Sequence, residues 1–466
     1  MRARSSRPAA VWAAFILSVL VIVVAYPLAK PSRVHSRKLK NQSPNILIIM
    51  TDDQGHDTLT SQFMPTTKAL IADQGITFTR AYIPTPICCA SRAGFLTGKY
   101  ARNNGVHVNK DHLAGPTLVN RLHDAGYYTG LSGKYLNSWS ADPRPEFDFW
   151  VGWKRDLIDP YMNISGEFKT VPGYMPYIIR DSALDFLDRV PADQPFFLMF
   201  TPVTPHTPAI PAPGDENLYS GLAPWRPPNF NPAQMAGKPD WLQKLPQLTA
   251  DEIKDLDESR LDQLRCLRPI DNGVRDLLQK LRDQGKLDNT LVVFYSDNGA
   301  FWGEHRIHGK NRVYEEACRV PFALRYPPLI DVPHVENRLV AVIDLAPTIY
   351  ELSGIPIPSD VDGRSLVPLM RGTPDWRDAL LIEGWPGSFI HDNGDPVDRS
   401  NRMNTETTEH FRAIRTEQFV YVKTDKDSSE LYDTDADPYE LNNLIDDPRF
   451  SSTVKKLKKR LKRGPF

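Results

Sequence analysis

Within this 466-residue chain, the stretch Ile87-Cys88-Cys89-Ala90-Ser91-Arg92-Ala93-Gly94-Phe95-Leu96-Thr97-Gly98 combines a thiol pair, a cation and a small-residue helix pattern. It leaves a loop punctuated by Pro84 and Pro86 and reads as the start of a helix, with Cys88 at or near its N-terminus. Free backbone N–H groups and the helix dipole favour an anion there. Arg92 lies one turn further along the same face. A thiol in that position is expected to have a depressed pKa and to react as a nucleophile. A small buried cysteine opening an ordinary helix is the competing reading.

Other candidates fall at the ends of short apolar runs. Asn45-Ile46-Leu47-Ile48-Ile49-Met50 has the continuous apolar character of a strand buried on both faces, and Asp52-Asp53 follow it. Open α/β sheets hold ligands at that end of their strands. Adjacent carboxylates repel, so near a core they call for a cation. Residues 127–131 read as a strand ending in Gly133-Lys134, where a solvated lysine is the default and an anion ligand the sharper reading. Residues 195–200 form another apolar run, ending in a proline-rich loop with His206. Residues 290–295 lead into Ser296-Asp297-Asn298-Gly299, and then come Gly303-Glu304-His305-Arg306 and Lys310. Asp52, Asp53, Asp297 and Asn298 are hard oxygen donors that suit Ca²⁺ or Mg²⁺ better than Zn²⁺.

These residues need a scaffold. At 41% apolar and 24% charged the chain can build a large core, and a formal net charge of −1 supplies no field that would select nucleic acid. Arg2, Arg4 and Arg7 precede the uncharged run 9–26, so residues 1–29 read as a signal peptide or a signal anchor able to hold the protein at a membrane. Residues 30–43 are a basic linker. Helical patterns cover 66–75, 116–125, 177–190, 250–284 and 344–352, and a second strand is expected over 77–82. Segments 137–175 and 208–250 read as loops that shape the substrate site, the second a lid or wall. From residue 376 the texture changes to short alternating strands at 380–383, 411–415, 419–423 and 430–432, an antiparallel C-terminal subdomain that ends in a basic helix, 454–463. A catalytic domain of 44–375 precedes it. Four cysteines are too few for a disulfide framework; Cys266 and Cys318 are the one pair considered for a bridge. Asn41 and Asn163 open glycosylation sequons.

Taken together, Cys88-Cys89-Ala90-Ser91-Arg92 with Thr97-Gly98 closely resembles the signature of the type I, formylglycine-dependent sulfatases. Asp52-Asp53, Gly133-Lys134, His206, Ser296-Asp297-Asn298-Gly299, Lys310, Asp362-Gly363-Arg364-Ser365-Leu366 and Glu430-Leu431-Tyr432 with Asp437-Pro438 follow in that family's order over roughly 44–445. The cysteine doublet and Gly133-Lys134-Tyr135-Leu136-Asn137 look like the N-acetylglucosamine-6-sulfatase and heparan sulfatase branch. The resemblance implies an α/β, alkaline-phosphatase-like sandwich: a large mixed, mostly parallel sheet flanked by helices, with a smaller C-terminal antiparallel sheet. It implies that a formylglycine-generating enzyme oxidises Cys88 and that the hydrated aldehyde attacks a sulfate ester. One Ca²⁺ or Mg²⁺ per chain would be held by Asp52, Asp53, Cys88, Asp297 and Asn298. Arg92 would steady the hydrate, Asp297 act as base, and Lys134, His206 and Lys310 contact sulfate, with Lys310 or His206 protonating the leaving group. The arylsulfatase histidine after Gly-Lys has no counterpart, because Leu136 stands there. The expected function is an exported sulfuric ester hydrolase acting on a sulfated sugar or aryl ester. A phosphodiester or phosphonate monoester hydrolase is the alternative within the superfamily, and a glycan-binding protein with unconverted Cys88 the non-enzymatic one.

Overall fold

In the computed structural model the described residues are 43–373, 375–386, 409–426 and 428–464. Ten strands form the main sheet: β1 (Asn45–Thr51), β2 (Ile76–Phe78), β3 (Tyr128–Gly133), β4 (Phe149–Arg155), β5 (Tyr161–Ile164), β6 (Glu167–Thr170), β7 (Phe196–Thr201), β8 (Thr290–Ser296), β9 (Phe322–Arg325) and β10 (His334–Glu336). Their spatial order is β10-β2-β9-β8-β1-β7-β3-β4-β5-β6. The middle run β8-β1-β7-β3 is parallel throughout, with Thr51 opposite Ser296 and Gly133 opposite Thr201. The C-terminal ends of four neighbouring strands therefore share one edge of the sheet. β9 is antiparallel to β8, and β5 and β6 are antiparallel additions, so the sheet is mixed.

The apolar runs are buried as their composition demands. Every residue of β1, β7 and β8 is buried. A strand covered on both faces has no polar side to present, which is why these runs lack alternation. One face carries α1 (Cys88–Thr97) within the larger core; on the other lie α2 (Met175–Arg189) and α3 (Ala250–Asp283). The capping box of Thr249 and Glu252 opens α3, as the sequence pattern there requires.

The described residues form one compact unit. Within it a separate four-stranded antiparallel sheet comprises β11 (Ala379–Gly384), β12 (Phe411–Thr416), β13 (Phe419–Thr424) and β14 (Ser429–Asp433). The alternating strands expected in this region are all present. Glu383 of β11 donates its N–H to Pro84 O at 2.8 Å, joining this sheet to the loop before Cys88. The last helix, α4 (Ser451–Arg463), buries Leu457 and Leu461 and turns Lys455, Lys456, Lys458, Lys459 and Lys462 to solvent. That is a solvated terminal helix.

Several expectations change. Segment 137–175 is not one loop: β4, β5 and β6 lie in it and widen the main sheet. The strand expected over 77–82 is two pieces, β2 and Ala81–Tyr82, in different sheets, with a bend at Thr79-Arg80 between them. Cys266 and Cys318 are free, each within 3.2 Å of a different carbonyl oxygen, Ile210 O and Arg312 O. Asn163 is fully buried in β5 and accepts from Gly166 N at 2.8 Å, so that sequon has no room for a glycan in the folded chain. The N-terminal apolar run, the linker and Asn41 lie outside the described residues. Among those described, no helix is long and apolar enough to cross a membrane.

Gly133 ends β3 with φ at 124°, and a Cβ there would lie 2.1 Å from Thr201 O. Gly133→Ala is expected to cost about 3 kcal/mol and to displace Lys134; a denaturant melt measures the first and a crystal structure of the variant the second.

Candidate active site

Cys88 opens α1 as expected, but its helix start is capped from a distance. Ile87, at the N-cap, supplies no side-chain bond, and Asn109 Oδ1 accepts the Cys89 N–H at 3.1 Å. No local pattern marks Asn109, since capping signals are sought immediately before the helix. All ten residues of α1 are buried, and Gly98, at φ 69°, closes it by donating to Gly94 O at 2.8 Å. Asp362 and Gly363 donate their N–H groups to Gly98 O. Thr97-Gly98 and Asp362-Gly363 thus form one latch that fixes the far end of the helix.

Around Cys88 the four parallel strand ends meet. Asp52 and Asp53 follow β1, Lys134 follows β3, His206 follows β7, and Asp297 and Asn298 follow β8. Arg92 bridges two carboxylates, Asp52 at 3.0 Å and Asp297 at 2.7 Å, and donates to Lys134 O at 2.9 Å. Side chains of all three ionic residues are fully buried. Lys134 Nζ also contacts Asp52. Lys310 Nζ pairs with Asp53 and donates to Cys88 Sγ at 2.8 Å, while the Cys88 thiol lies 3.4 Å from Asp52 Oδ1. His206 Nε2 stands 3.5 Å from Asp53 Oδ2 and is partly exposed, as is Lys310, so the cluster opens to solvent on their side. Asn298 Nδ2 donates to Asp53.

Electrostatics overturn one expectation. The thiol is not depressed: burial first, then the Asp52 carboxylate, hold Cys88 well above the ordinary cysteine range despite Lys134 and Lys310. The helix terminus and two ammonium groups do not offset removal from water. Burial alone would raise Asp52, yet Lys134 and Arg92 hold it far below the usual carboxylate range. Asp297 is pushed up by burial and by the Asp52 charge. Burial disfavours charge on Lys310, but the Asp53 and Asp52 carboxylates keep it an ammonium.

A hard cation fits this donor set. Ligand atoms of Asp52, Asp53, Cys88 and His206 all lie within 4.8 Å of one another. Buried Asn298 Oδ1 has no hydrogen-bond partner among the described residues. The expected donors Asp52, Asp53, Cys88, Asp297 and Asn298 all lie in this cluster. His206 Nε2 stands close to Asp52, Asp53 and Cys88, and Asp297 holds Arg92 by Oδ2 and has Oδ1 3.4 Å from Asp53 N. Cys89 is buried near Asp111 O and Ser138 Oγ, away from the ionic cluster. Cys89→Ser keeps a donor of similar size there and is expected to change kcat/KM less than threefold in ester-hydrolysis assays.

The sulfatase family model matches residues 44–355, two thirds of the chain. The chain belongs to the sulfatase family. A second model, the C-terminal part of N-sulphoglucosamine sulphohydrolase, matches residues 303–464. The putative extracellular sulfatase Sulf-1 homolog of Caenorhabditis elegans is 31% identical over 79% of this chain and 56% of its own length. The chain thus spans about half of that relative. The N-acetylglucosamine-6-O-sulfatase of Bacteroides thetaiotaomicron is 28% identical, over 94% of this chain and 89% of its own length. Among solved structures, a protein in complex with its substrate D-glucosamine-2-N,6-O-disulfate superposes with a TM-score of 0.79 at 26% identity, covering 90% of this chain and 97% of that one. The fold is the alkaline-phosphatase-like sandwich of the sulfatases. The phosphonate monoester hydrolase of Agrobacterium radiobacter shares it, with a TM-score of 0.70 at 23% identity, over 90% of this chain and 94% of that one.

Proposed function

We propose that this sulfatase hydrolyses the sulfate monoester of a sulfated amino sugar of the glucosamine 6-sulfate type, using Cys88 converted to Cα-formylglycine and one Ca²⁺ or Mg²⁺. The observation that carries the proposal is the convergence of Lys134, Lys310 and His206 with Asp52 and Asp53 on Cys88 at an opening to solvent. A singly charged ester with three anionic oxygens suits such a cationic wall. The glucosamine sulfatases among the relatives support the sugar, and the extracellular ones support export, with residues 1–29 as leader or anchor.

Cys88 Sγ marks where the hydrate oxygens of the converted residue would sit. Asp52, Asp53, Asp297, Asn298 and the converted residue would hold the cation, which would supply charge neutralisation at the sulfuryl group. Lys134 and Lys310 hold the sulfate oxygens, and Arg92 keeps Asp52 and Asp297 in place. Asp297, raised by burial and by Asp52, takes the proton of one hydrate hydroxyl as its oxygen bonds to sulfur. The sulfur–oxygen bond to the sugar breaks, and His206 or Lys310 delivers a proton to the departing oxygen. The remaining hydroxyl then gives up its proton, sulfate leaves with its bonding pair, and the aldehyde returns. Leu136, buried in the core, can take no part, so proton delivery falls to those two side chains.

The test is a panel of glucosamine 6-sulfate, N-sulfated and aryl sulfates and matched phosphate and phosphonate esters, on protein produced with the formylglycine-generating enzyme. The 6-sulfated sugar is expected to be preferred. Faster phosphonate turnover would contradict the proposal, and binding without turnover would favour the glycan-binding alternative. Chelation with EDTA is expected to lower kcat at least a hundredfold, with recovery on adding Ca²⁺.

A further inference from the structure

A second buried cluster lies apart from the residues assigned to catalysis. His305, Glu316 and Glu440 place one ligand atom each within 4.8 Å of one another. Asn229 joins them: its Nδ2 donates to Glu316 Oε1 at 2.7 Å and lies 3.2 Å from His305 Nε2. His305 and Asn229 are fully buried, at 0% exposure. Yet His305 Nδ1, Glu316 Oε2 and Asn229 Oδ1 have no hydrogen-bond partner among the described residues. Three orphaned polar atoms at one buried place are costly unless something unseen satisfies them.

Charge points the same way. Neither Glu316 nor Glu440 makes an ion pair among the described residues, although the two carboxylates adjoin. The nearest cation, Lys238, spends its ammonium on Tyr432 Oη at 2.9 Å and on the Glu440 backbone carbonyl. Glu440 Oε2 accepts only a backbone bond, from Glu315 N at 3.0 Å.

We propose that His305, Glu316, Glu440 and Asn229, its amide turned so that the oxygen takes the place of Nδ2, form a second metal site, for a borderline divalent ion such as Zn²⁺. One imidazole, two carboxylates and an amide oxygen differ from the harder donor set beside Cys88, and four mixed donors suit tetrahedral Zn²⁺. The ion would clamp three distant segments: the loop that carries Asn229, the stretch 305–316 that carries Lys310, and the turn after β14. Since His305 and Glu316 bracket Lys310, the ion would hold that lysine's hairpin in place.

The experiment uses the full chain, stripped by chelation and returned to excess Ca²⁺ so that the site beside Cys88 is filled. Titration with Co²⁺ should then give visible d–d absorption saturating at one equivalent, displaced by Zn²⁺, and Zn²⁺ should raise the melting temperature by several degrees. Glu316→Gln and His305→Asn should each weaken Co²⁺ binding at least tenfold; asparagine tolerates the left-handed backbone of residue 305, where φ is 51°. Asp53→Asn should leave the absorption intact. Absence of the band in the wild-type chain, or its persistence in Glu316→Gln, would overturn the site and leave a proton shared between two carboxylates. Should a variant fail to fold, the wild-type titration and the Zn²⁺ melt decide alone.

Discussion

Cys88→Ser is expected to reduce turnover by about 10⁴-fold or more while still permitting one slow covalent event per chain. Serine retains an oxygen within reach of Lys310 and Asp52, so transfer of the sulfuryl group to it remains feasible. A sulfated serine has no second hydroxyl on its carbon, and nothing on the enzyme can expel sulfate. Quench-flow with labelled substrate should show a burst of at most one equivalent, and mass spectrometry should find the sulfate on residue 88. In the wild-type chain the same peptide should show CHO in place of CH₂SH. Full activity in Cys88→Ser would discard the mechanism. Loss of activity in Cys89→Ser with Cys88→Ser active would move the nucleophile to the neighbouring residue.

Arg92→Ala is expected to cost about 3–5 kcal/mol of stability as well as activity, because it leaves two buried carboxylates without their common partner. Asp52 would retain Lys134, but Asp297 loses its only direct ion pair among the described residues. Arg92 also donates to the carbonyls of Lys134 and Tyr135, so the start of the segment after β3 loosens too. Arg92→Lys restores charge but not the fork that spans both carboxylates, and should recover less than half of the loss. Urea melts with and without Ca²⁺ make the test specific: added Ca²⁺ should recover part of the stability of Arg92→Ala by neutralising the same carboxylates. If Arg92→Ala melts like wild type in chelator, the bridge contributes nothing and the electrostatic account of the site fails.

Local composition revealed some elements and hid others. β1, β7 and β8 declare themselves because continuous apolar runs bounded by polar turns fit few other roles. β6 does not, since all four of its residues are exposed and it sits at the sheet edge, where nothing forces an apolar pattern. β9 follows directly on Pro321, and its four residues are too short for either period to register. The segment 208–250, expected as a lid or wall, is anchored to its neighbours. Trp225 contacts Glu304, Arg226 pairs with Asp257 at 2.6 Å, and the Arg306 guanidinium donates to Pro232 O, Ala233 O and Leu245 O. Each of these is a long-range contact with no local signature.

From the order of residues alone came the parts: a thiol at a helix start, acid pairs and cations after buried strands, an antiparallel C-terminal sheet and membership of a family. Their order along the chain carries that information because each motif is local, spanning only a few residues. Only tertiary structure decided their arrangement. Strand order makes neighbours of β8, β1, β7 and β3, which lie up to 245 residues apart in sequence, as Asn298 and Asp53 do. It brought His206 and Asp297 to the same cluster as Asp52, Asp53 and Cys88, and it raised the Cys88 thiol that a helix terminus by itself would lower. Desolvation depends on everything packed around a group, and no window of sequence contains that.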